Sequence, residues 1–148
     1  MSAAYRRVGI IGAMDLEIEA LRAQLTEAQT EVISGVRFTK GKLCEVETVL
    51  AVCGMGKCAA TLCAEAMILR YAPDLVINVG VAGTLTNKLG IGDLAIGKNA
   101  VCHDIDATPI GDPLGQIANG GLVQKGKTPC IQHNGLVSTA QLFGLPLF

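Results

Sequence analysis

Three stretches of this sequence combine residue types that could do chemistry. Cys53-Gly-Met-Gly-Lys-Cys-Ala59 contains G-x-G-x-x-A, a pattern that can place a pyrophosphate at a helix N-terminus. A dinucleotide site also needs an acidic residue closing the next strand about 20 residues on, whereas Asp74 comes at the start of its strand. A P-loop fails as well, because Ala51 and Cys58 stand where glycine and the magnesium-binding hydroxyl belong. A tight strand-to-helix turn that needs small residues accounts for this stretch equally well. His103-Asp-Ile-Asp106 offers an imidazole and two carboxylates, which suit divalent ions. Strand alternation would put His103 and Ile105 on one face and both aspartates on the other, which favours a hydrogen-bonded turn over a metal. Glu17 and Glu19 sit in the first turns of a helix, where acidic residues ordinarily complement the helix dipole in solvent.

The elements that must hold these residues can be read from the apolar periodicity. Val8-Gly-Ile-Ile-Gly-Ala13 is a continuous apolar run, as for a strand covered on both faces. Asp15 is placed to cap a helix over about 15–26, with Ile18, Leu21 and Leu25 at helical spacing. Antiparallel strands follow, with turns expected at Ser34-Gly35 and Gly41-Lys42 before the apolar stretch from Leu43 to Cys53. Ala60, Ala64, Met67, Ile68 and Tyr71 predict a second helix packed on a sheet and ending at Ala72-Pro73. Leu75 to Gly80 reads as a buried strand, Gly80 to Gly83 as the turn off its carboxyl end, and Ile91 to Val101 as a further strand. This order predicts an α/β domain with a mixed sheet, in which ligands collect outside the carboxyl ends of the strands. From about Ala107 the periodicity disappears among scattered glycines and prolines, so core building is expected to end near 106.

Composition narrows the function classes. With 148 residues, half of them apolar and 17% charged, the chain can bury one core and does not resemble a disordered polyelectrolyte. A net charge of −1 without a basic block excludes nucleic-acid binding as the main role. No window reaches the roughly 18 uninterrupted apolar residues of a membrane span, and the N-terminus lacks a signal-peptide pattern, so a cytoplasmic protein with no membrane partner is expected. The six cysteines, at 44, 53, 58, 63, 102 and 130, lie mostly in apolar runs without a C-x-x-C pair and read as reduced core thiols.

Taken together, Gly9-Ile-Ile-Gly-Ala-Met-Asp-Leu-Glu17, Cys53-Gly-Met-Gly-Lys57, Asn78-Val-Gly-Val-Ala-Gly83, Ile91-Gly-Asp93 and His103-Asp-Ile-Asp-Ala-Thr108 resemble the 5′-methylthioadenosine/S-adenosylhomocysteine nucleosidase family in order and spacing. The resemblance covers about residues 7–117. It implies a nucleoside phosphorylase-like fold, a three-layer α/β/α sandwich with a mixed sheet, here incomplete at the C-terminus. It also implies a homodimer that hydrolyses the bond from adenine to a 5′-thioribose with water, using no metal and no cofactor. Glu17 would activate the water, Val81, Ala82 and Gly83 would lie along the nucleoside, and Met55 would face the 5′-alkylthio group. Ile110 would reach across a dimer into the partner's pocket, and Gly135-Leu-Val-Ser-Thr-Ala-Gln-Leu-Phe143 resembles a family strand and its aromatic, which would put Phe143 at the base-stacking position.

Departures from the family matter as much. The later Met-Glu pair on the ribose hydroxyls and the Ser-Asp whose aspartate protonates adenine are absent, and Cys53 replaces a common serine. Residues 1–117 are accordingly expected to form the nucleosidase-like domain and 118–148 an irregular or divergent segment. Loss of a positioned acid forfeits about 10²–10⁴ in rate, so little turnover is expected of this chain alone. The competing readings are a phosphorolytic relative, a non-catalytic nucleoside-binding or dimer-pairing fragment, and a dinucleotide module at Gly54-x-Gly-x-x-Ala59.

Overall fold

A computed structural model describes residues 5–83, 87–97 and 106–112, and the backbone of 137–144. The elements are β1 (Arg7–Gly12), α1 (Asp15–Arg22), β2 (Thr26–Ile33), β3 (Val36–Leu43), β4 (Val46–Val52), α2 (Lys57–Tyr71), β5 (Leu75–Ala82), β6 (Leu94–Gly97), a 3₁₀ turn at Thr108–Ile110, and β7 (Val137–Gly144). The strands form one seven-stranded sheet in the order β2-β3-β4-β1-β5-β7-β6. β1 runs parallel to β4 and β5 at the centre. β2, β3 and β4 form an antiparallel meander, and β7 runs antiparallel to β5 and parallel to β6.

Period-two alternation in the central strands feeds two cores, one on each face of the sheet. Ile11, Val49, Ala51 and Val76 pack with Phe38 and with Cys63, Met67 and Tyr71 of α2. Ile10 and Leu50 pack on the other face with Ile18, joined by Leu21, Val52, Ile77 and Val79. Helix, sheet and helix therefore make the three layers that the family resemblance implies. Glycine permits the closest approaches: a Cβ at Gly9 would stand 2.3 Å from Met67 Sδ, and one at Gly12 2.7 Å from Ile18 Cγ1.

Several expected boundaries move, each for a local reason. α1 ends at Arg22 rather than near 26, and Met14 rather than Asp15 is its N-cap; Asp15 instead pairs with Arg22 at 3.1 Å. β2 begins at Thr26 with an exposed polar face and a bulge between Thr26 and Gln29, where Glu27 takes φ 54°. The hairpin turn falls at Cys44-Glu45, both at positive φ, and not at Gly41-Lys42. Gly41 is needed inside β3 because Thr26 O lies 2.6 Å from where its Cβ would be. β5 continues as strand to Ala82 instead of turning at Gly80. Ile68 is largely exposed, and Cys63 takes its place in the buried stripe of α2.

Core building does not end near 106: residues 137–144, within the segment expected to be irregular or divergent, form β7 between β5 and β6. The further strand expected over 91–101 is described at Leu94–Gly97, after a turn at 91–93; residues 98–101 lie outside the described residues. Among the described cysteines only Cys63 is buried; Cys44 and Cys58 are exposed, and none is bridged. Burial pushes the Cys63 thiol up to about 12, which makes it an inert core group. Among the described residues no helix is long and apolar enough to cross a membrane.

Candidate active site

The carboxyl ends of the three parallel strands meet at one place. β1 ends at Gly12, β4 at Val52 and β5 at Ala82, and Cys53 N–H donates to Gly12 O at 2.9 Å, tying the first two ends together. The chain leaves β1 through Ala13 and Met14 and enters α1, so Glu17 falls at the third helical position, one turn above the strand end. A glutamate there can reach back to the N-cap backbone, and Glu17 does: its Oε2 accepts from Ala13 N–H at 2.8 Å and Met14 N–H at 2.9 Å. Its Oε1 reaches across to β5 and accepts from Val81 N–H at 3.1 Å. The side chain is half-buried, whereas Glu19 is exposed. Glu17 thus departs from the solvated role of a first-turn glutamate, and Glu19 keeps it.

The glycine turn between β4 and α2 supplies the second wall. Gly54 and Gly56 sit at φ 82° and 106°, in the region that favours glycine, with open space around each Cα. Gly56 is the N-cap of α2. Burial, with the nearby Glu17 carboxylate adding to it, raises the Cys53 thiol above its ordinary range. Cys53 therefore contributes a neutral thiol beside the carboxylate and not a thiolate nucleophile.

The other sequence-derived site residues divide. Val81, Ala82 and Gly83 lie at the end of β5, beside the Glu17 carboxylate, with Val81 bonded to it directly. Met55 projects from the glycine turn and is 82% exposed. Ile110, on the 3₁₀ turn, is 81% exposed and belongs to neither core. Phe143 is not brought to this end. It pairs with Val76, while Ser138 pairs with Val81, so five strand positions, roughly 16 Å at about 3.3 Å each, separate Phe143 from the Glu17 end. The antiparallel direction of β7 causes this; matching Phe143 to a motif position could not reveal it.

The rival chemistries find other uses for their residues. Arg7, a cation at the start of β1 that a phosphorolytic relative could turn to phosphate, pairs with Glu47 at 2.6 Å and donates to Tyr71 O. Asp74, at the wrong end of its strand for a ribose, accepts from Arg6 and Arg7 N–H, both at 2.8 Å. Asp106 accepts from Thr108 N–H and Oγ1, closing a local turn; His103 and Asp104 lie outside the described residues. Among the described residues no group of three histidine, cysteine or acidic side chains could hold a metal.

The parallel β4-β1-β5 core with a helix on each face agrees in fold with what comparison with known proteins finds. The phosphorylase superfamily model matches residues 7–142. The chain belongs to that superfamily. It is similar to the 5′-methylthioadenosine/S-adenosylhomocysteine nucleosidases of Shewanella loihica, 41% identical over 76% of this chain and 49% of that protein, and Aeromonas salmonicida, 39% identical over 91% and 56%. Among solved structures it is similar to the Neisseria meningitidis nucleosidase in complex with methylthio-immucillin-A, with a TM-score of 0.73 and 34% identity over 77% of this chain and 49% of that one. The Colwellia psychrerythraea enzyme in complex with adenine matches with a TM-score of 0.72 and 32% identity over 80% and 49%. The chain spans about half the length of the curated relatives it matches. The nucleoside phosphorylase-like fold and the likeness to these nucleosidases therefore stand as the sequence motifs imply.

Proposed function

We propose that this chain carries the water-activating half of a purine nucleosidase that hydrolyses the N-glycosidic bond of 5′-methylthioadenosine or S-adenosylhomocysteine and releases adenine. The observation that carries the reading is the Glu17 carboxylate, held by three backbone N–H groups where β1 and β5 end. Cleaving such a bond passes through an oxocarbenium-like ribosyl cation. A nearby carboxylate lowers that barrier by stabilising the cation and by taking a proton from the attacking water. The water oxygen bonds to the anomeric carbon, the glycosidic bond breaks with its electrons on adenine, and adenine gains a proton.

Glu17 is the base in this scheme. Val81, Ala82 and Gly83 line the nucleoside, Met55 faces the 5′-alkylthio group, and Ile110 serves a second subunit of a homodimer. The reaction needs no metal or cofactor, and it belongs to cytoplasmic nucleoside catabolism and methionine salvage. Residues 1–117 hold this machinery, and the divergent 118–148 contribute a strand to its sheet. The family's adenine-protonating aspartate has no counterpart in the motifs of this chain, so its turnover alone is expected to fall about 10²–10⁴ below that of a complete site.

Adenine release from methylthioadenosine, measured with and without inorganic phosphate, tests the proposal. Slow, phosphate-independent release that Glu17→Gln removes is the expected result. Phosphate-dependent release would assign the chain to the phosphorolytic relatives. Ligand-induced thermal stabilisation with no release would make it a nucleoside-binding fragment.

A further inference from the structure

The two oxygens of Glu17 are not equivalent. Oε2 accepts two hydrogen bonds, from Ala13 and Met14 N–H, whereas Oε1 accepts the one from Val81 N–H. Each carboxylate oxygen offers about two lone-pair sites, so among the described residues Oε2 is filled by backbone donors and Oε1 has room for one more. Oε1 is also the atom that lies against Gly80. A Cβ at Gly80 would stand 2.8 Å from Oε1, 3.2 Å from Cδ and 3.5 Å from Oε2, and these are its three nearest neighbours. Gly80 is not among the positive-φ glycines, and it sits in regular pairing with Thr139 on β7. Backbone conformation therefore does not call for glycine at this position; the approach of the carboxylate does.

Resting on the nucleosidase reading, we propose that Gly80 is a positioning residue for the reaction. Its bare Cα lets the Glu17 carboxylate seat against β5, and this leaves the remaining lone pair of Oε1 as the site that takes the proton from the attacking water. In the balanced step one water proton passes to Oε1 and the hydroxyl oxygen bonds to the anomeric carbon. The glycosidic electron pair leaves with adenine, which is protonated from solvent. Position 80 thereby sets where the base stands without touching substrate itself.

Gly80→Ala is the direct test, read by single-turnover adenine release and by binding of two probes: adenine, and a nucleoside analogue with a protonated amine in place of the ribose ring oxygen. Displacing a catalytic group by about 1 Å costs about 10²-fold in rate. The expected result is a loss of that order, with at least tenfold weaker binding of the cationic analogue and unchanged binding of adenine. In the Gly80→Ala background, Glu17→Asp shortens the side chain and relieves the crowding, so the two losses should not multiply. The same double variant restores folding if Gly80→Ala alone does not fold. Unchanged rate and analogue binding in Gly80→Ala, or losses that multiply in the double variant, would overturn the inference. A wild-type chain that neither binds the probes nor releases adenine would sink the nucleosidase reading instead. A crystal structure of the Gly80→Ala variant then decides the positioning claim alone: a carboxylate pushed off Val81 N–H supports it, and an unmoved one refutes it.

Discussion

Two carboxylates bridge β1 and β5, one at each end of the pair, and they are built almost alike. Asp74 Oδ2 accepts from the backbone N–H groups of Arg6 and Arg7, and Asp74 N–H returns a bond to Arg7 O at 2.9 Å. Glu17 accepts from Ala13, Met14 and Val81 N–H at the opposite end. The Asp74 bonds, from Arg7 first and Arg6 next, hold its carboxyl below the usual aspartate range, and the two arginine charges add to this. Hydrogen-bond geometry alone therefore does not mark a functional carboxylate. The surroundings separate them. Asp74 stands among arginines and locks the start of two strands, whereas Glu17 stands at the carboxyl ends against the bare Cα of Gly80, where Oε1 accepts one hydrogen bond among the described residues. The first is a brace, and the second is the carboxylate that we propose as the base.

The contrast is broken most severely at Glu17. Glu17→Gln replaces one acceptor oxygen by an amide that faces Ala13, Met14 or Val81 N–H donor to donor, and it removes the base. Adenine release in single turnover is expected to fall by about 10²–10⁴, with the chain still folded by circular dichroism. An undiminished rate would show that Glu17 is a second brace. A purely structural glycine sharpens the same point: Gly9→Ala drives a methyl into Met67 Sδ on the far side of β1. Overpacking of this kind costs about 1–3 kcal/mol, to be read as a lower denaturation midpoint in urea, without the selective loss of cationic-analogue binding expected at Gly80.

Asp74→Asn should leave the chemistry untouched and flatten part of the acid limb of stability. A carboxyl whose folded value lies below its unfolded one contributes stability that is present above the unfolded value and lost as pH falls through the folded one. The wild-type chain should therefore lose stability on acidification below the usual carboxylate range, and the variant should lose less, in thermal melts taken from neutral pH downward. Glu47, lowered by its bond to Arg7, keeps a residual slope in both. An identical acid limb in the two proteins would remove Asp74 from the account.

How much of this was legible in the sequence depends on which force fixed each part. β1, β4 and the start of β5 are covered by core on both faces and α2 buries one apolar stripe, so their apolar patterns announce them, and the glycine turn before α2 is fixed by positive φ. β2 carries an exposed polar edge with no alternation to read, which is why α1 seemed to extend past Arg22. Gly41 and Gly80 look like turn residues in sequence but serve close approaches from Thr26 and Glu17, which are distant in sequence. β7 is held by pairing with β5 and β6, and its short stretch among glycines and prolines carries no period long enough to recognise. The catalytic candidate was legible only through the family motif, because a glutamate in a first helical turn is ordinary. Its bond to Val81, 64 residues away, is what distinguishes it.

The most direct measurement is a crystal structure of the chain with the cationic nucleoside analogue bound. The expected result is Glu17 Oε1 within about 2.6–3.2 Å of a water or hydroxyl beneath the sugar, with the backbone of Val81 to Gly83 along the nucleoside. An analogue seated elsewhere, or a Glu17 carboxylate swung into bulk solvent away from Val81, would contradict the account.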